Sequence, residues 1–529
     1  MKVHTTKQLN FSPNIIKMNK IVLFSFFVGL LTTGCSLLGD IPKPDPIKGA
    51  GAITLKFIQI NDVYEIAPLN NGEYGGLARV AHIRDSIKQQ YPNTFLFLAG
   101  DFLTPSLLGT LKVDGERLNG KQMIDVLNAM DVDLVTFGNH EFDLSEEDLQ
   151  KRLNESNFKW TSANVRHATE DKVEPFTTKY EYTAVPISDY STFDAVDPDG
   201  NKIKFAVFGV TGPYNPKEYV SYGDIYQNAV RAYDEAVKKA DIVVGLTHVS
   251  IDEDVEIAKR LRSLPLIMGG HEHYNILEKE GRTIIAKADA NAKSIWVHTL
   301  TYNIRTKYLF LNSDLIEIDE RTPSEAKVDR VVSKWTTLLD DKLKETVDNP
   351  NAVIYSPKTP INGTDSANRS MQTNLGEIIT NSMANAYRGV DAALVNGGSI
   401  RVDEMISRPL TSQDIFRILP FGGSVLKVKL RGSLLKEVLD YGLKMKSNGA
   451  YLQRYNFSQG ANNEWLIKGS TISDRKIYTV AFSDFLLKGL DIPFLTPDNK
   501  DIVNIYTPKE SETAADIRKA IIDYLKALK

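Results

Sequence analysis

"DLVTFGNHEFD", residues 133 to 143, passes from an apolar run directly into Gly-Asn-His-Glu. The run has the length and residue types of a short buried strand, and the glycine that closes it lets the backbone turn tightly and approach a ligand. The stretch therefore reads as a strand that delivers an amide and an imidazole to the edge of a sheet. The same arrangement recurs. "ITLKFIQI" (53–60) leads to Asp62 and Tyr64, "TFLFLAGD" (94–101) ends at Asp101, "DIVVGLTHVS" (241–250) carries His248, and "LPLIMGGHEH" (264–273) ends in His271 and His273. A sixth run, "IKFAVFGVTG" (203–212), has the same apolar character.

Amphipathic stretches lie between these runs, with helices expected over 76–90 and 226–240 and a capping box at Ser145 and Asp148 opening a helix over 146–153. Strand and helix patterns that alternate in this way imply layered α/β packing. Polar groups at the carboxyl ends of such strands stand where open α/β sheets gather ligands. A charged stretch at helical spacing (324–347) follows, and a second α/β region begins near residue 352.

The chain has 529 residues, 42% of them hydrophobic and 25% charged, which is enough for two or more domains with cores of their own. A net charge of -4 argues against a nucleic-acid-binding surface. Cys35 is the single cysteine, so no internal disulfide can form. It follows a secretory signal pattern, with a basic start at Lys20 and an apolar stretch over 21–31 that is too short for a confident membrane span. The Pro-rich segment over 39–51 reads as an extended tether.

Asp62, Asp101, Asn139, His248, His271 and His273 form a mixed oxygen and imidazole set that suits zinc, manganese or iron better than calcium. Any one of these histidines could be an ordinary loop or core residue; the ordered series is not explained that way. Two neighbouring ions would activate water at neutral pH and clamp phosphate oxygens. His140 follows a ligand directly and would face the phosphoryl group, with Asp143 either fixing its tautomer or capping the next helix. In the second region the "NGGSIR" turn offers backbone donors, Asn396 and the planar fork of Arg401, while Phe421 and Phe485 offer faces for a base or else serve as core.

The first five clusters resemble the signature of the calcineurin-like metallophosphoesterases, D-x-H, GD, GNH[DE], a lone His and GHxH, with four blocks unchanged and Tyr64 in place of the first histidine. The resemblance covers about residues 53–310. It implies that Asp101 bridges two divalent ions (zinc, manganese or iron), that Asp62 and His273 hold one, and that Asn139, His248 and His271 hold the other. It also implies that His140 supports the transition state or the leaving group.

"QTNLGEIITNSM", "NGGSIR", "LPFGG" and "FSDFLLKG" resemble, in order and spacing, the C-terminal domain of secreted 5'-nucleotidases. That likeness implies a base sandwiched by Phe421 and Phe485, base and ribose contacts from Asn396 and Arg401, and Asp491 as a ribose partner. The implied architecture is α/β throughout: a four-layer α-β-β-α metallophosphoesterase domain (53–322), a linker helix (323–350) and a smaller nucleotide-binding domain (351–529).

"LTTGC" resembles a bacterial lipoprotein processing site, which implies a signal peptide over 1–35, a tether over 36–52, and a periplasmic or cell-surface protein lipid-anchored through Cys35. The implied activity is hydrolysis of nucleoside 5'-monophosphates, or of related nucleotides such as UDP-sugars or cyclic nucleotides, by a metal-bridged hydroxide. Nucleotide is the partner implied, with the membrane met only through the anchor and neither nucleic acid nor a protein partner indicated. Tyr64 leaves two outcomes. A nearby cation favours its phenolate, so it can ligate, particularly to ferric iron, or it can swing aside for a water. If the site is instead impaired by the change, the chain is a nucleotide-binding lipoprotein without catalysis.

Overall fold

Strands buried on both faces lose the polar alternation of a surface strand, and the runs over 53–60, 94–99 and 242–248 are of that kind. The computed structural model describes residues 51–528, which belong to one compact unit. Strands β1 (Ala52–Ile60), β2 (Thr94–Ala99), β3 (Leu134–Thr136) and β4 (Lys159–Thr161) lie parallel in that order. The chain then builds a second sheet from β5 (Tyr190–Val196), β6 (Lys202–Thr211), β7 (Ile242–His248), β8 (Leu266–Gly269), β9 (Ile276–Glu280) and β10 (Thr283–Lys287). It returns to the first sheet with β11 (Ser294–Asn303) and β12 (Tyr308–Glu317), which gives the orders β12-β11-β1-β2-β3-β4 and β5-β6-β7-β8-β10-β9.

The two sheets face each other across one apolar layer that includes Leu55, Phe57, Phe97, Phe205, Val207, Val244 and Met268. The alternate side chains of the same strands point outward. Leu96 and Leu98 meet α1 (Leu77–Gln90) and α2 (Lys121–Ala129), while Ala206 and Phe208 meet α4 (Ile225–Ala236) and α5 (Ile251–Arg260). Between α2 and α4 in the chain lies α3 (Glu146–Glu155). This is the four-layer α-β-β-α arrangement, and it brings the carboxyl ends of β1, β2, β3, β7 and β8 to one edge.

The connecting helix is α6 (Ala326–Lys344); its buried stripe of Val328, Val332, Trp335, Leu339 and Leu343 packs it against α1 and α2. Beyond it, β13 (Ala392–Asn396), β14 (Val425–Arg431), β15 (Leu452–Tyr455), β16 (Ile477–Ser483) and β17 (Ile502–Tyr506) form a five-stranded sheet of order β15-β13-β16-β14-β17. Leu394, Val428 and Phe482 face one apolar cluster and Ala393, Val395 and Ala481 the other, so this sheet too is covered on both sides.

The cap at Ser145 forms only half of the expected box. Ser145 Oγ accepts the Asp148 N–H at 3.1 Å, but the Asp148 carboxylate turns to Ser145 Oγ and Asn119 Nδ2 instead of the Ser145 N–H. The signal peptide, Cys35 and most of the tether lie outside the described residues. Among the described residues no helix is long and apolar enough to cross a membrane.

Candidate metal centre

The turns after β1, β2 and β8 put Asp62, Asp101 and His271 at φ values of 51°, 55° and 87°. Side chains other than glycine rarely adopt this left-handed region, and such residues cluster where function requires them. Hydrogen bonds lock the turns together. Asp62 N–H donates to the Gly100 carbonyl (3.0 Å), and Asp62 Oδ2 accepts from Asn61 Nδ2 (2.7 Å) and from His271 N–H (3.0 Å). Glu141, the acidic residue of "GNHE", accepts the N–H groups of Asp101, Phe102, Leu103 and Gly138 at 2.6–3.1 Å. Gly138 admits no side chain, since a Cβ there would stand 2.1 Å from Asp101 Oδ1.

These supports leave particular atoms free. Asp62 Oδ1, Asn139 Oδ1 and His248 Nε2 are buried without a hydrogen-bond partner. Burying a polar atom unsatisfied costs about 1–3 kcal/mol, so three of them at converging strand ends fit a site built for cations. Asp62, Asp101 and His248 offer ligand atoms that all lie within 4.8 Å of one another. His248 donates its Nδ1–H to the Ala99 carbonyl at 2.8 Å, which turns Nε2 toward Asp101 Oδ2 (3.2 Å) and Asp62 Oδ1 (4.0 Å). His273 Nε2 lies 3.7 Å from Asp62 Oδ1, and its Nδ1 is held at 2.7 Å by Asp403. The His271 ring stacks on Tyr214 with centroids 4.3 Å apart and meets His248 at 5.4 Å. Tyr64 is turned inward: its hydroxyl donates to Asp101 Oδ2 at 3.1 Å and lies 3.3 Å from His273 Nε2.

The electrostatics agree with an anionic nest. Burial opposes charge on His248, but the Asp101 and Asp62 carboxylates outweigh it and push the imidazole up to about 10. His273 rises to about 9 because the Asp403 hydrogen bond and Asp62 overcome its burial. His271 is pushed down to about 3, by burial first and then by the charge on His248. Burial, with Asp101 and Asp62, holds the Tyr64 phenol well above its ordinary range.

His140 N–H donates to Asp101 Oδ1 at 2.7 Å, and His140 Nδ1 is 2.7 Å from Asp143 Oδ2. The other oxygen of Asp143 accepts from Asn215 Nδ2 at 2.9 Å, and the N-cap of α3 is Ser145, so Asp143 does not cap that helix. Burial works against the Asp143 carboxylate, but its bond to His140 keeps it below the usual carboxylate range.

A cavity of about 830 Å³ opens over these groups and is walled on its far side by the C-terminal region, through Arg369, Arg401 and Asp403 among others. Of the residues assigned to the nucleotide from sequence, only Arg401 lines it. Asn396 donates to Asp491 at 2.8 Å and accepts from Ser399 Oγ at 2.6 Å. Phe421 is half exposed, with the Arg401 guanidinium 5.5 Å over its ring. The Phe421 and Phe485 loops are neighbours, joined by Asp484 N–H to the Ser424 carbonyl (2.9 Å) and Ser424 N–H to Asp484 (3.1 Å).

Four residues near the site escaped sequence reading. Glu141 was in view inside its motif. Arg369 precedes "QTNLGE" and gives the cavity a guanidinium besides those of Arg401 and Arg417, while Asn374 inside that motif spends its amide on the Asn362 N–H and the Pro360 carbonyl. Asp403 carried no signal. Neither did Lys287, which is fully buried on β10 and reaches the Val249 and Gly270 carbonyls (2.6 and 2.8 Å), Asp254 (3.1 Å) and Glu272, bracing the loops that carry His248 and His271.

The fold and this donor set define a phosphoesterase of the calcineurin-like kind, and comparison with known proteins agrees. A profile described as "Calcineurin-like phosphoesterase" matches residues 55–275, and one described as "5'-nucleotidase, C-terminal domain" matches residues 352–496. The chain is similar to the trifunctional nucleotide phosphoesterase protein YfkN of Bacillus subtilis, 27% identical over 446 residues that cover 78% of this chain and 29% of that protein. It thus spans less than a third of that relative's length. It is 22% identical to human 5'-nucleotidase over 458 residues, covering 76% of this chain and 75% of the relative. The solved 5'-nucleotidase precursor of Thermus thermophilus shares the fold, with a TM-score of 0.68 at 22% identity over 90% of this chain and 97% of that one. The chain belongs to the family that joins a calcineurin-like phosphoesterase domain to a 5'-nucleotidase C-terminal domain, and it is a hydrolase of that class. The family implies divalent metal ions.

Proposed function

We propose that the chain hydrolyses nucleoside 5'-monophosphates, or related nucleotides such as UDP-sugars and cyclic nucleotides, at a centre of two divalent ions (zinc, manganese or iron). The observation that carries this reading is the convergence of buried, unsatisfied Asp62 Oδ1, Asn139 Oδ1 and His248 Nε2 beside a cavity walled in part by the guanidinium groups of Arg369, Arg401 and Arg417. Asp62, Tyr64, Asp101 and His273 would hold one ion; Asp101, Asn139, His248 and His271 would hold the other. When bound, such ions supply the Lewis acidity that activates water and stabilises charge on the phosphoryl oxygens.

The chain's own residues do the rest. Asp143 keeps a proton on His140 Nδ1, so Nε2 is the nitrogen that gives a proton to the departing sugar oxygen. Arg401 and Arg369 bind substrate oxygens in forked geometry, with Asn396 and Asp491 on the ribose or base edge and Phe421 and Phe485 on the base faces. The protein acts outside the cytoplasm, anchored through Cys35 in the periplasm or at the cell surface; the signal and "LTTGC" pattern support this.

A panel of these nucleotides assayed with zinc and manganese tests the reading, and turnover of none of them would overturn it. Metal analysis separates it from a nucleotide-binding protein without catalysis: one ion or none per chain, with nucleotide bound but not cleaved, would favour the binder. The inward turn of Tyr64 favours the enzyme, since its oxygen stays among the donor atoms.

A further inference from the structure

The apolar run "IKFAVFGVTG" (203–212) becomes β6, and no candidate metal ligand follows it. Its loop nevertheless enters the site, for Tyr214 and Asn215 line the cavity. Pro213 and Pro216 flank the two residues and restrict the backbone on either side. Hydrogen bonds tie the loop down along its length. Gly212 N–H donates to the His248 carbonyl (2.8 Å), Tyr214 Oη accepts the Ser250 N–H (2.8 Å), and the Asn215 carbonyl accepts from Tyr222 Oη (3.2 Å). Asn215 thus presents its side-chain amide from a fixed backbone.

Both donors of that amide are spent on the segment that carries His140. Asn215 Nδ2 donates to Asp143 Oδ1 at 2.9 Å and to the Asn139 carbonyl at 3.0 Å, across 72 and 76 residues of sequence. Asp143 Oδ2 takes the other side and holds His140 Nδ1 at 2.7 Å. A carboxylate with a single partner can swivel and still keep it, whereas a partner on each oxygen fixes its plane, and the imidazole follows the carboxylate. Exposure sets the need for such fixing. The His140 and Asp143 side chains are 20% and 27% exposed, so water competes for the Asp143 oxygens. Among the described residues, Asn215 is the donor that occupies Oδ1.

We propose that Asn215 is a positioning residue: by clamping Asp143 Oδ1 it sets the angle at which His140 Nε2 meets the departing sugar oxygen. This inference rests on the role given to His140 in the proposed function and adds the element that keeps the pair aligned. The chemistry of the leaving group says where the clamp matters. A nucleoside departs as a poor alkoxide and needs the proton of Nε2 as the phosphorus–oxygen bond breaks, while 4-nitrophenolate is stable enough to leave without it. A residue that works through His140 must therefore affect the two esters unequally.

The test uses the full chain loaded with zinc or manganese. Wild type, Asn215→Ala, Asn215→Asp, His140→Ala and the double variant His140→Ala with Asn215→Ala are compared on two esters: 4-nitrophenyl phosphate and the nucleoside 5'-monophosphate that the wild type cleaves fastest. Asn215→Ala should lower kcat for the nucleotide by about 10- to 100-fold, the usual cost of losing a partner behind a functional side chain. KM and metal content should hold, and the loss on 4-nitrophenyl phosphate should be far smaller. Asn215→Asp keeps the size but puts an acceptor where the donor was, so it should lose as much, which guards against a folding defect in the alanine variant. In the His140→Ala background the same change should cost nothing further, because residues that act as a unit are not additive. That comparison needs no aryl ester and decides by itself. Equal losses on the two esters, a full loss that persists without His140, or a loss of bound metal that matches the loss of rate would overturn the proposal. Asn215→Ala with the wild-type rate on nucleotide refutes this inference alone, whereas a wild type that cleaves no nucleotide overturns the reading on which it rests.

Discussion

Replacing Asp403 with alanine should weaken the ion held by Asp62 and His273 and leave the other ion nearly untouched. Asp403 reaches across 130 residues of sequence to hold His273 Nδ1 at 2.7 Å, and its second oxygen accepts the Asp365 N–H at 2.8 Å. A carboxylate behind a ligating imidazole fixes the tautomer, keeps Nε2 free for the ion and raises its basicity. Losing such a partner costs about 10- to 100-fold in metal affinity, or about 1.4–2.8 kcal/mol at about 1.4 kcal/mol per tenfold. Asp403→Asn keeps an oxygen able to accept the Nδ1–H and loses only the charge, so its deficit should fall at or below the lower end of that range. The assay is a titration of the stripped full chain with zinc against a competing chelator, in which two binding steps are resolved. In Asp403→Ala one step should shift and the other should hold, because His248 takes its support from the Ala99 carbonyl within its own domain. Two unchanged steps, or two steps weakened equally, would refute the reasoning. Coupling of this kind is reciprocal, so the ion must strengthen the contact between the two regions by the same factor.

His140→Ala should lower kcat by about 10²- to 10⁴-fold, the usual contribution of a positioned acid or base, with metal content unchanged; an unaltered rate would remove His140 from the mechanism. Lys287→Met should destabilise the fold by about 3–5 kcal/mol in urea unfolding, because Asp254 and Glu272 lose the cation between them. His298 is buried between Gln59 and Ser313 and is pushed by burial from 6.5 down to about 3. Its folded value lies below the unfolded one, so its full contribution is present above pH 6.5 and is lost as the pH falls from 6.5 toward 3, by about 4–5 kcal/mol at about 1.36 kcal/mol per unit. The difference in unfolding free energy between wild type and His298→Gln, followed across that range, should carry this slope; a flat difference would contradict it.

What was legible in the sequence was what is local. A strand buried on both faces shows as an apolar run, and the donors stand within a few residues of its end, so Asp62, Asp101, Asn139, His248, His271 and His273 could be placed before any coordinates. The members of the His140–Asp143 pair are three positions apart and were equally visible. Asp403 and Lys287 were not, because each acts through residues far away in the chain, and a polar residue next to a turn or inside a strand reads as nothing in particular. The layering was legible only in part. Alternating strands and helices imply stacked sheets, but nothing local says that β11 and β12 return to pair beside β1, a register that joins Phe57 to His298. Nor could sequence say that Asn396 and Asp491 would bond each other, or that of the five nucleotide residues Arg401 alone would line the cavity over the donors.

The altered residue at position 64 can be weighed against what the rest of the site gives up. Three buried polar atoms without partners cost about 1–3 kcal/mol each, and Asp62, Asp101 and His271 hold left-handed backbone at about 1–3 kcal/mol each. Whole domains are stable by only about 5–15 kcal/mol, so burdens of this size persist where something binds to offset them. A chain that had given up cations could recover much of that energy by single changes, such as a hydrophobic residue for Asn139 or a hydrogen-bonded partner for His248 Nε2. Instead Asp62 keeps one oxygen fully hydrogen-bonded and the other bare, His248 keeps its tautomer fixed by Ala99, and Tyr64 directs its oxygen to Asp101. Loss of function relaxes such arrangements, and the surroundings of Tyr64 have not relaxed: its hydroxyl stays 3.1 Å from Asp101 Oδ2 and 3.3 Å from His273 Nε2.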